Sequence, residues 1–224
     1  MPESSAIRRV RAVVPAALLA AGLLLTGCGT GTGQGAAATP AQRSTAPAAA
    51  TAAAPAGPGT AAPAGTVGGP GTPCALPVSF SLAADWEPEA VEPAADPDLA
   101  ALTRQGPATL RCEVDAKPAG HVGFLRVWTV SEGRARAALE AFVTAEKGAR
   151  GAVFSGVEAG PLTGVQTVYQ VHAELTGGTK TERAFAVGTA DGGVVIVHLG
   201  GLDTEEHEAM RPAYELARST LRAS

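Results

Sequence analysis

The sequence predicts an α+β domain in which a mostly antiparallel β-sheet of about six or seven strands is flanked by two main helices. A signal peptide and a disordered linker are predicted to precede this domain. Gly (28) and Pro (17) make up a fifth of the 224 residues, which is too much for one uniform domain. All nine Phe, Trp and Tyr residues lie between Phe80 and Tyr214, and segments with strand periodicity outnumber segments with helical periodicity. We therefore assign the globular domain to residues 74–224, which are numerous enough to bury a core.

Residues 1–27 have the pattern of a lipoprotein signal peptide. Arg8, Arg9 and Arg11 precede an uninterrupted apolar run at 12–25. As a helix this run would span about 21 Å, less than the roughly 30 Å of a bilayer core, so it is too short for a transmembrane helix. The run ends in the residues LTGC at 25–28, which resemble the lipobox of bacterial lipoproteins.

The lipobox resemblance implies cleavage before Cys28 and a diacylglycerol group on the Cys28 sulfur. In some bacteria a further acyl chain, such as palmitate, is added to the new amino terminus. The expected partner is thus the membrane, reached through the lipid anchor on Cys28, and the expected location is the extracytoplasmic face of the cell membrane. An ordinary signal peptide that happens to contain a cysteine is the alternative.

Residues 28–73 are predicted to be a disordered linker that begins with the lipidated Cys28. After Cys28 this stretch contains no Leu, Ile, Met, Phe, Tyr or Trp, and its only charged residue is Arg43. Ala, Thr, Gly and Pro alone cannot bury enough apolar surface to form a core. The linker is expected to hold the domain away from the membrane.

The charge of the domain disfavours two classes of partner. Residues 74–224 carry 13 Lys and Arg against 20 Asp and Glu. A surface that binds nucleic acid or anionic lipid requires the opposite sign, so neither partner is expected.

Three cysteines are present, and lipidation of Cys28 would leave Cys74 and Cys112 as a pair. In an oxidising compartment outside the cytoplasm, a disulfide between them is the expected state. Two buried free thiols and a two-ligand metal site are the alternatives. The wide spacing and the lack of a nearby His are not typical of a zinc site.

Seven segments of the domain have the alternation or the apolar run of a β-strand, with turn residues between them. The predicted strands cover residues 77–82, 110–114, 122–130, 152–157, 164–176, 181–190 and 193–199.

Two main helices and one short helix are predicted. A helix after Ser131 has one apolar stripe, and a C-terminal helix begins near Asp203, which with Glu206 has the spacing of a capping box. Pro212 is expected either to kink this second helix or to mark its start. Residues 97–104 are predicted to form the short helix.

The last two predicted strands form a hairpin with Asp191-Gly192 as a two-residue turn. This register places Val187 and Ile196 on one face and Ala186 and Val197 on the other. Both faces of the hairpin are apolar, so a layer is expected on each side of the sheet, and the two helices can supply these layers.

The order of these elements resembles the PsbP-like fold, an α/β/α sandwich, and the LpqN-type lipoproteins of actinobacteria. The resemblance rests on VSFSL at 78–82 leading to DWE at 85–87, and on GVVIV at 193–197 followed by a C-terminal helix. A second group of actinobacterial lipoproteins, with a cysteine pair around the first part of the domain, fits the cysteines better and Trp86 less well. Both groups imply an extracytoplasmic domain that is non-catalytic or of uncharacterised function.

No catalytic motif, cofactor or metal site is predicted. His207-Glu208 resembles the start of a zinc-protease motif, but the position that requires a second His is Arg211. Two sets of residues are candidates for binding. One is His172 and Glu174, on one face of a half-exposed strand. The other belongs to an acidic, proline-broken segment at 83–103, whose carboxylates would attract a cationic partner or a divalent cation; its candidates are Glu87, Glu89 and Glu92.

The predicted function is therefore that of a membrane-anchored extracytoplasmic lipoprotein with a non-catalytic binding or accessory domain. Its partner is expected to be an envelope protein or a small ligand. The alternative is a cell-envelope hydrolase whose active site has no recognisable motif.

Overall fold

A computed structural model describes residues 59–224 except 93, 95 and 174–176. The predicted signal peptide, Cys28, residues 28–58 of the predicted linker, and Glu174 lie outside the described residues. The strands in chain order are β1 (Pro63–Val67), β2 (Val78–Ala83), β3 (Glu87–Ala90), β4 (Arg104–Gln105), β5 (Ala108–Asp115), β6 (Gly123–Val130), β7 (Arg150–Ala159), β8 (Leu162–Ala173), β9 (Gly178–Gly188), β10 (Val194–Gly201) and β11 (Arg222–Ala223). The helices are α1 (Pro97–Ala101), α2 (Ala135–Ala145) and α3 (Thr204–Thr220).

Eight strands form the main sheet, in the order β3-β5-β6-β10-β9-β8-β7, with β4 paired to β5. Every pair in it is antiparallel, which confirms the predicted α+β class. The prediction located β5 to β10 and missed β3 and β4. These two strands have four and two residues, too few for a periodic pattern.

The two faces of the main sheet are covered by different elements. Helix α2 packs on one face through its predicted apolar stripe, in which Ala138, Leu139, Phe142 and Val143 are buried. Helix α3 packs on the other face together with a second, three-stranded sheet of β1, β2 and β11. We call these the α2 face and the α3 face.

Strand β1 lies within residues 28–73, where the sequence predicts only linker. It pairs antiparallel with β2, and its last residue, Val67, is completely buried. The following Gly68 has φ +80°, and a Cβ there would lie 1.9 Å from the carbonyl oxygen of Val78. Backbone pairing and close backbone approach need few large side chains, so a prediction based on core-forming residues missed this strand.

The register of the β9–β10 hairpin differs by one residue from the prediction. Gly188 pairs with Val194, so the loop has five residues and not two. Ile196 is therefore opposite Ala186, on the α2 face, and Val197 is opposite Phe185, on the α3 face. The predicted division of faces was wrong because a one-residue change of register exchanges the faces of one strand relative to the other. Both faces are buried, as predicted.

The helix starts are partly as predicted. Asp203 is the N-cap of α3, and its side chain accepts a hydrogen bond from the Glu206 backbone N–H (2.9 Å). Helix α3 runs continuously past Pro212, so the proline does not mark its start. Helix α2 begins four residues beyond Ser131, with Arg134 as its N-cap. In the described part of the chain no helix is long and apolar enough to cross a membrane.

The predicted disulfide between Cys74 and Cys112 is present, with 5.8 Å between the two Cα atoms. Both cysteines are completely buried on the α3 face. The bond joins the segment between β1 and β2 to the central part of β5, and so attaches the small sheet to the main one.

Candidate ligand-binding groove

A cavity of about 550 Å³ lies on the α2 face, next to the C-terminal end of α2. Helix α2 has only 11 residues, so it leaves the end of the sheet beyond Ala145 uncovered. We call this cavity the α2-face groove. Its lining comes from the start of β6, the residues after α2, the end of β8, the start of β9 and the end of β10.

Glycine at the end of β10 keeps one side of the groove open. Gly200 lines the groove, and a Cβ at this position would lie 3.3 Å from Cε1 of His198 and 3.5 Å from Oε1 of Glu182. A larger side chain at position 200 would therefore fill space beside these two residues.

Lys180 carries a positive charge into the groove wall from β9. Its Nζ lies 2.6 Å from Oε1 of Glu182 and donates a hydrogen bond to the backbone oxygen of Gly201 (3.0 Å). The side chain is 21% exposed, whereas that of Glu182 is 3% exposed. The ammonium group thus sits between a buried carboxylate and the open groove.

Behind Lys180 is a buried polar network on neighbouring strands. His198 Nε2 is 2.8 Å from Oε2 of Glu182, and the Tyr169 hydroxyl is 3.3 Å from the same oxygen and 3.2 Å from His198 Nε2. Because the carboxylate only accepts, the imidazole N–H and the phenol O–H donate to it. Each carboxylate oxygen of Glu182 therefore has a partner, as a buried charge requires.

The network decides the charge of Glu182. Burial opposes its ionisation, but the attraction of His198 and Lys180 and their hydrogen bonds outweigh burial and lower its pKa to about 2. Burial and the Glu182 charge raise the pKa of Tyr169 well above its usual value. The network thus contains a carboxylate anion and a neutral phenol at neutral pH.

Two further ionisable groups line the groove. Glu146 accepts a hydrogen bond from Gln105 Nε2 (2.7 Å), and burial, followed by the Glu182 charge, raises its pKa. Arg126 pairs with Glu113 (Nε to Oε1, 2.6 Å) and lies over the Phe124 ring, 4.8 Å from its centroid. Lys147 also lines the groove.

A second buried histidine lies on the α3 face and has a different neighbour. His207 is completely buried in α3, and its Nε2 accepts a hydrogen bond from Arg183 Nε (2.9 Å). Burial and the Arg183 charge lower the pKa of His207 to about 4, so its ring is neutral at neutral pH. Arg183 also pairs with Glu208 (2.7 Å).

The residues predicted as binding candidates lie in different places. His172 lines the α2-face groove, which includes none of Glu87, Glu89 and Glu92. Glu87 and Glu89 are exposed on the edge strand β3, and Glu92 is exposed just after this strand. This part of residues 83–103 therefore has regular structure that was not predicted from the sequence. Within the described residues no group of three or more His, Cys, Asp or Glu side chains could hold a metal ion. Binding of a cation or cationic partner by these carboxylates stays a prediction.

Lys180 in the groove wall, and Glu182 and His198 in the network behind it, were not predicted from the sequence. One signal was present: His198 is the only ionisable residue in β10, a strand buried along its whole length. A lone ionisable residue in such a strand needs a buried partner. The partner, Glu182, belongs to β9 and can be identified only from the pairing of the strands.

Comparison with known proteins places the chain among lipoproteins. The model of the Lipoprotein_23 family, described as uncharacterised lipoprotein, matches residues 43–221, well over half of the chain. A comparison with curated proteins gives no match.

Proposed function

Because the chain belongs to this family of uncharacterised lipoproteins, we propose that it is anchored to the outer face of the cell membrane by lipid on Cys28 and acts there as a non-catalytic binding protein of the cell envelope. The lipobox-like residues at 25–28 and the preceding apolar run support lipidation with diacylglycerol and an acyl chain such as palmitate. Relationship to the LpqN-type, PsbP-like lipoproteins of actinobacteria is part of this proposal. This relationship is supported by the main sheet, which has a helix packed on each face as in an α/β/α sandwich.

Substitution of the lipidation site tests the anchor. Cys28→Ser is expected to move the protein from the membrane fraction to the soluble fraction, or to leave an unprocessed precursor. Membrane association and processing identical to those of the unsubstituted protein would contradict lipidation at Cys28. A Cys74→Ser variant is the control, since it replaces a cysteine that belongs to the disulfide with Cys112 and takes no part in lipidation.

The observation that carries the binding function is the α2-face groove. Its volume of about 550 Å³ is in the range of small-molecule sites, about 300–1,000 Å³. Such sites combine an apolar lining with a few polar groups. Here the apolar residues Phe124, Val171 and Leu202 line the same groove as Lys180, Arg126 and Glu146. We infer that the groove holds a small, partly apolar molecule.

The polar network behind the groove supports binding in preference to catalysis. A catalytic acid or base must come within hydrogen-bond reach of the substrate. The side chains of His198 and Glu182 are 4% and 3% exposed. Nε2 of His198 and Oε2 of Glu182 already form a hydrogen bond with each other. Their role in the proposal is to position Lys180.

Nile red, a neutral dye whose fluorescence rises in apolar sites, tests the groove. The full chain carrying Cys28→Ser, exported and purified without detergent, is expected to bind it. Gly200→Leu would fill the groove and is expected to lower the affinity about tenfold or more, the loss expected when most of the apolar contact is blocked. The matched control is Gly188→Leu, at an exposed strand position with no atom within 4 Å of an added Cβ.

The dye experiment has two contradicting outcomes. No binding by the unsubstituted groove would overturn the proposal. Equal binding by the Gly200→Leu and Gly188→Leu variants would show that the dye binds elsewhere and that the groove is not the site.

A further inference from the structure

We propose that the α2-face groove binds an amphiphile with one anionic head group, a carboxylate or a phosphate, and an aliphatic tail. This inference rests on the proposed function and adds the chemical class of the ligand. Its basis is the placement of cationic side chains in one apolar groove of an otherwise acidic domain.

The lysines are distributed very unevenly. The chain has only three, Lys117, Lys147 and Lys180, and two of them line the same groove although they are far apart in sequence. Arg126 adds a third cation, and among the described residues Glu146 is the only Asp or Glu of the lining. Residues 74–224 otherwise carry an excess of acidic groups. A cleft lined mainly by one sign of charge raises the local concentration of the oppositely charged ligand.

Lys180 has a donor left for a ligand. An ammonium group has three N–H donors, and Lys180 uses one on Glu182 (2.6 Å) and one on the Gly201 oxygen (3.0 Å). The third has no partner among the described residues, and the Lys180 side chain is partly exposed at the groove wall. Glu182 is fixed in turn by His198 and Tyr169, so the ammonium is held in place before a ligand arrives.

The described acidic groups around the groove do not reverse its preference for an anionic head group. Glu182 is buried behind Lys180, and Glu113 is engaged by Arg126. Glu146 accepts a hydrogen bond from Gln105, and burial raises its pKa. A cationic head group would have to approach the same Lys180 and Arg126 side chains, which would repel it.

The apolar part of the groove suits an aliphatic tail. Val122 and Leu202 line it and are joined by a backbone hydrogen bond (2.9 Å), so they lie side by side. They are 49% and 38% exposed, which is unusual for large apolar residues in this domain. Val171 and Ala173 on β8 continue the apolar lining. A tail on these residues would remove their surface from water.

Displacement of Nile red from the full chain carrying Cys28→Ser tests the head group. The probes share one tail: dodecanoate, dodecyl phosphate, dodecanol and dodecyltrimethylammonium. At least one anionic probe is expected to displace the dye about tenfold more effectively than dodecanol. A hydrogen bond to a charged group raises the affinity by about this factor. The cationic probe is expected to be weaker than dodecanol. The stronger of the two anions identifies the head group as carboxylate or phosphate.

Lysine variants locate the effect. Lys180→Gln and Lys147→Gln are each expected to reduce the advantage of the anion over dodecanol, and Lys180→Arg to retain most of it. Lys117→Gln is the matched control, because it removes the one lysine outside the groove. If Lys180→Gln does not fold, Lys147→Gln and Lys180→Arg still show whether the groove lysines cause the preference for the anion over dodecanol.

The outcomes separate this inference from the proposed function. Equal displacement by dodecanol and both anions, or an anion preference unaffected by Lys180→Gln and Lys147→Gln, would overturn the inference and leave the groove as a neutral binding site. Failure of every probe together with a Gly200→Leu variant that binds Nile red normally would overturn the proposed function itself.

Discussion

The two faces of the main sheet differ in how completely their helices cover them. Helix α3 has 17 residues and spans about 25 Å, whereas α2 has 11 residues and spans about 16 Å. The α3 face is also covered by the three-stranded sheet and crossed by the disulfide. The groove therefore arises from a helix too short for its face, because the strands beneath both helices are the same.

Each face buries one histidine, and the neighbouring charge differs. On the α2 face His198 lies against the Glu182 carboxylate, and on the α3 face His207 lies against the Arg183 guanidinium. The first arrangement orders a lysine at the groove wall, and the second joins α3 to β9. Substitutions on the two faces can separate these roles.

The largest loss of folding stability is expected from Glu182→Gln on the α2 face. Glu182 accepts hydrogen bonds from Lys180, His198 and Tyr169, so its loss leaves buried donors without a carboxylate acceptor. Because the acceptor is charged, we expect this to cost about 3 kcal/mol or more. Denaturant unfolding at neutral pH measures it. Glu113→Gln is the control, since both side chains of the Glu113–Arg126 pair are about one third exposed and such a pair contributes about 1 kcal/mol or less. Equal losses for the two variants would contradict the buried network.

The same carboxylate predicts sensitivity to acid. The pKa of Glu182 is about 2 in the folded protein, against an ordinary value of 4.5. The ionised form therefore stabilises the fold fully above about pH 4.5, and this stabilisation is lost as the pH falls towards 2. The Glu182→Gln variant is expected to lose less stability than the wild type over this interval.

The next largest loss of folding stability is expected on the α3 face, when the disulfide is reduced. Reduction of the bond between Cys74 and Cys112, which are separated by 38 positions, is expected to cost about 2–4 kcal/mol because the unfolded chain gains freedom. The melting temperature with and without reductant measures this. A double Cys74→Ser, Cys112→Ser variant should show the lower melting temperature in both conditions. A response of that variant to reductant would assign the effect to something else.

At neutral pH the smallest effect on stability is expected from His207, and it grows as the pH falls. Its pKa is about 4 in the fold, against an ordinary value of 6.5. The neutral ring therefore stabilises the fold fully above about pH 6.5, and this stabilisation is lost as the pH falls towards 4, with a slope of up to about 1.4 kcal/mol per pH unit. His207→Gln should reduce the slope between pH 6.5 and 4. An unchanged slope would mean that another group titrates there.

Strong local patterns in the sequence predicted most of the fold. The stripe of α2 and the Asp203 cap of α3 are confirmed because each depends on residues close together in the chain. The hairpin register was wrong because Asp191-Gly192 suits a two-residue turn, whereas pairing along the two strands places the closing pair at Gly188 and Val194. Of the groove, only His172 was predicted, as an exposed polar residue on a half-buried strand.

Composition, cysteine parity and strand alternation were enough to predict the α+β class, the pairing of Cys74 with Cys112 and the apolar character of both faces of β10. The pairing of β1 in a sheet, and the groove lined by Lys180 and Lys147 with Glu182 and His198 behind it, are seen only in the folded chain. These contacts join residues far apart in the chain. Their positions depend on strand register and helix length, and a local pattern does not contain either of them.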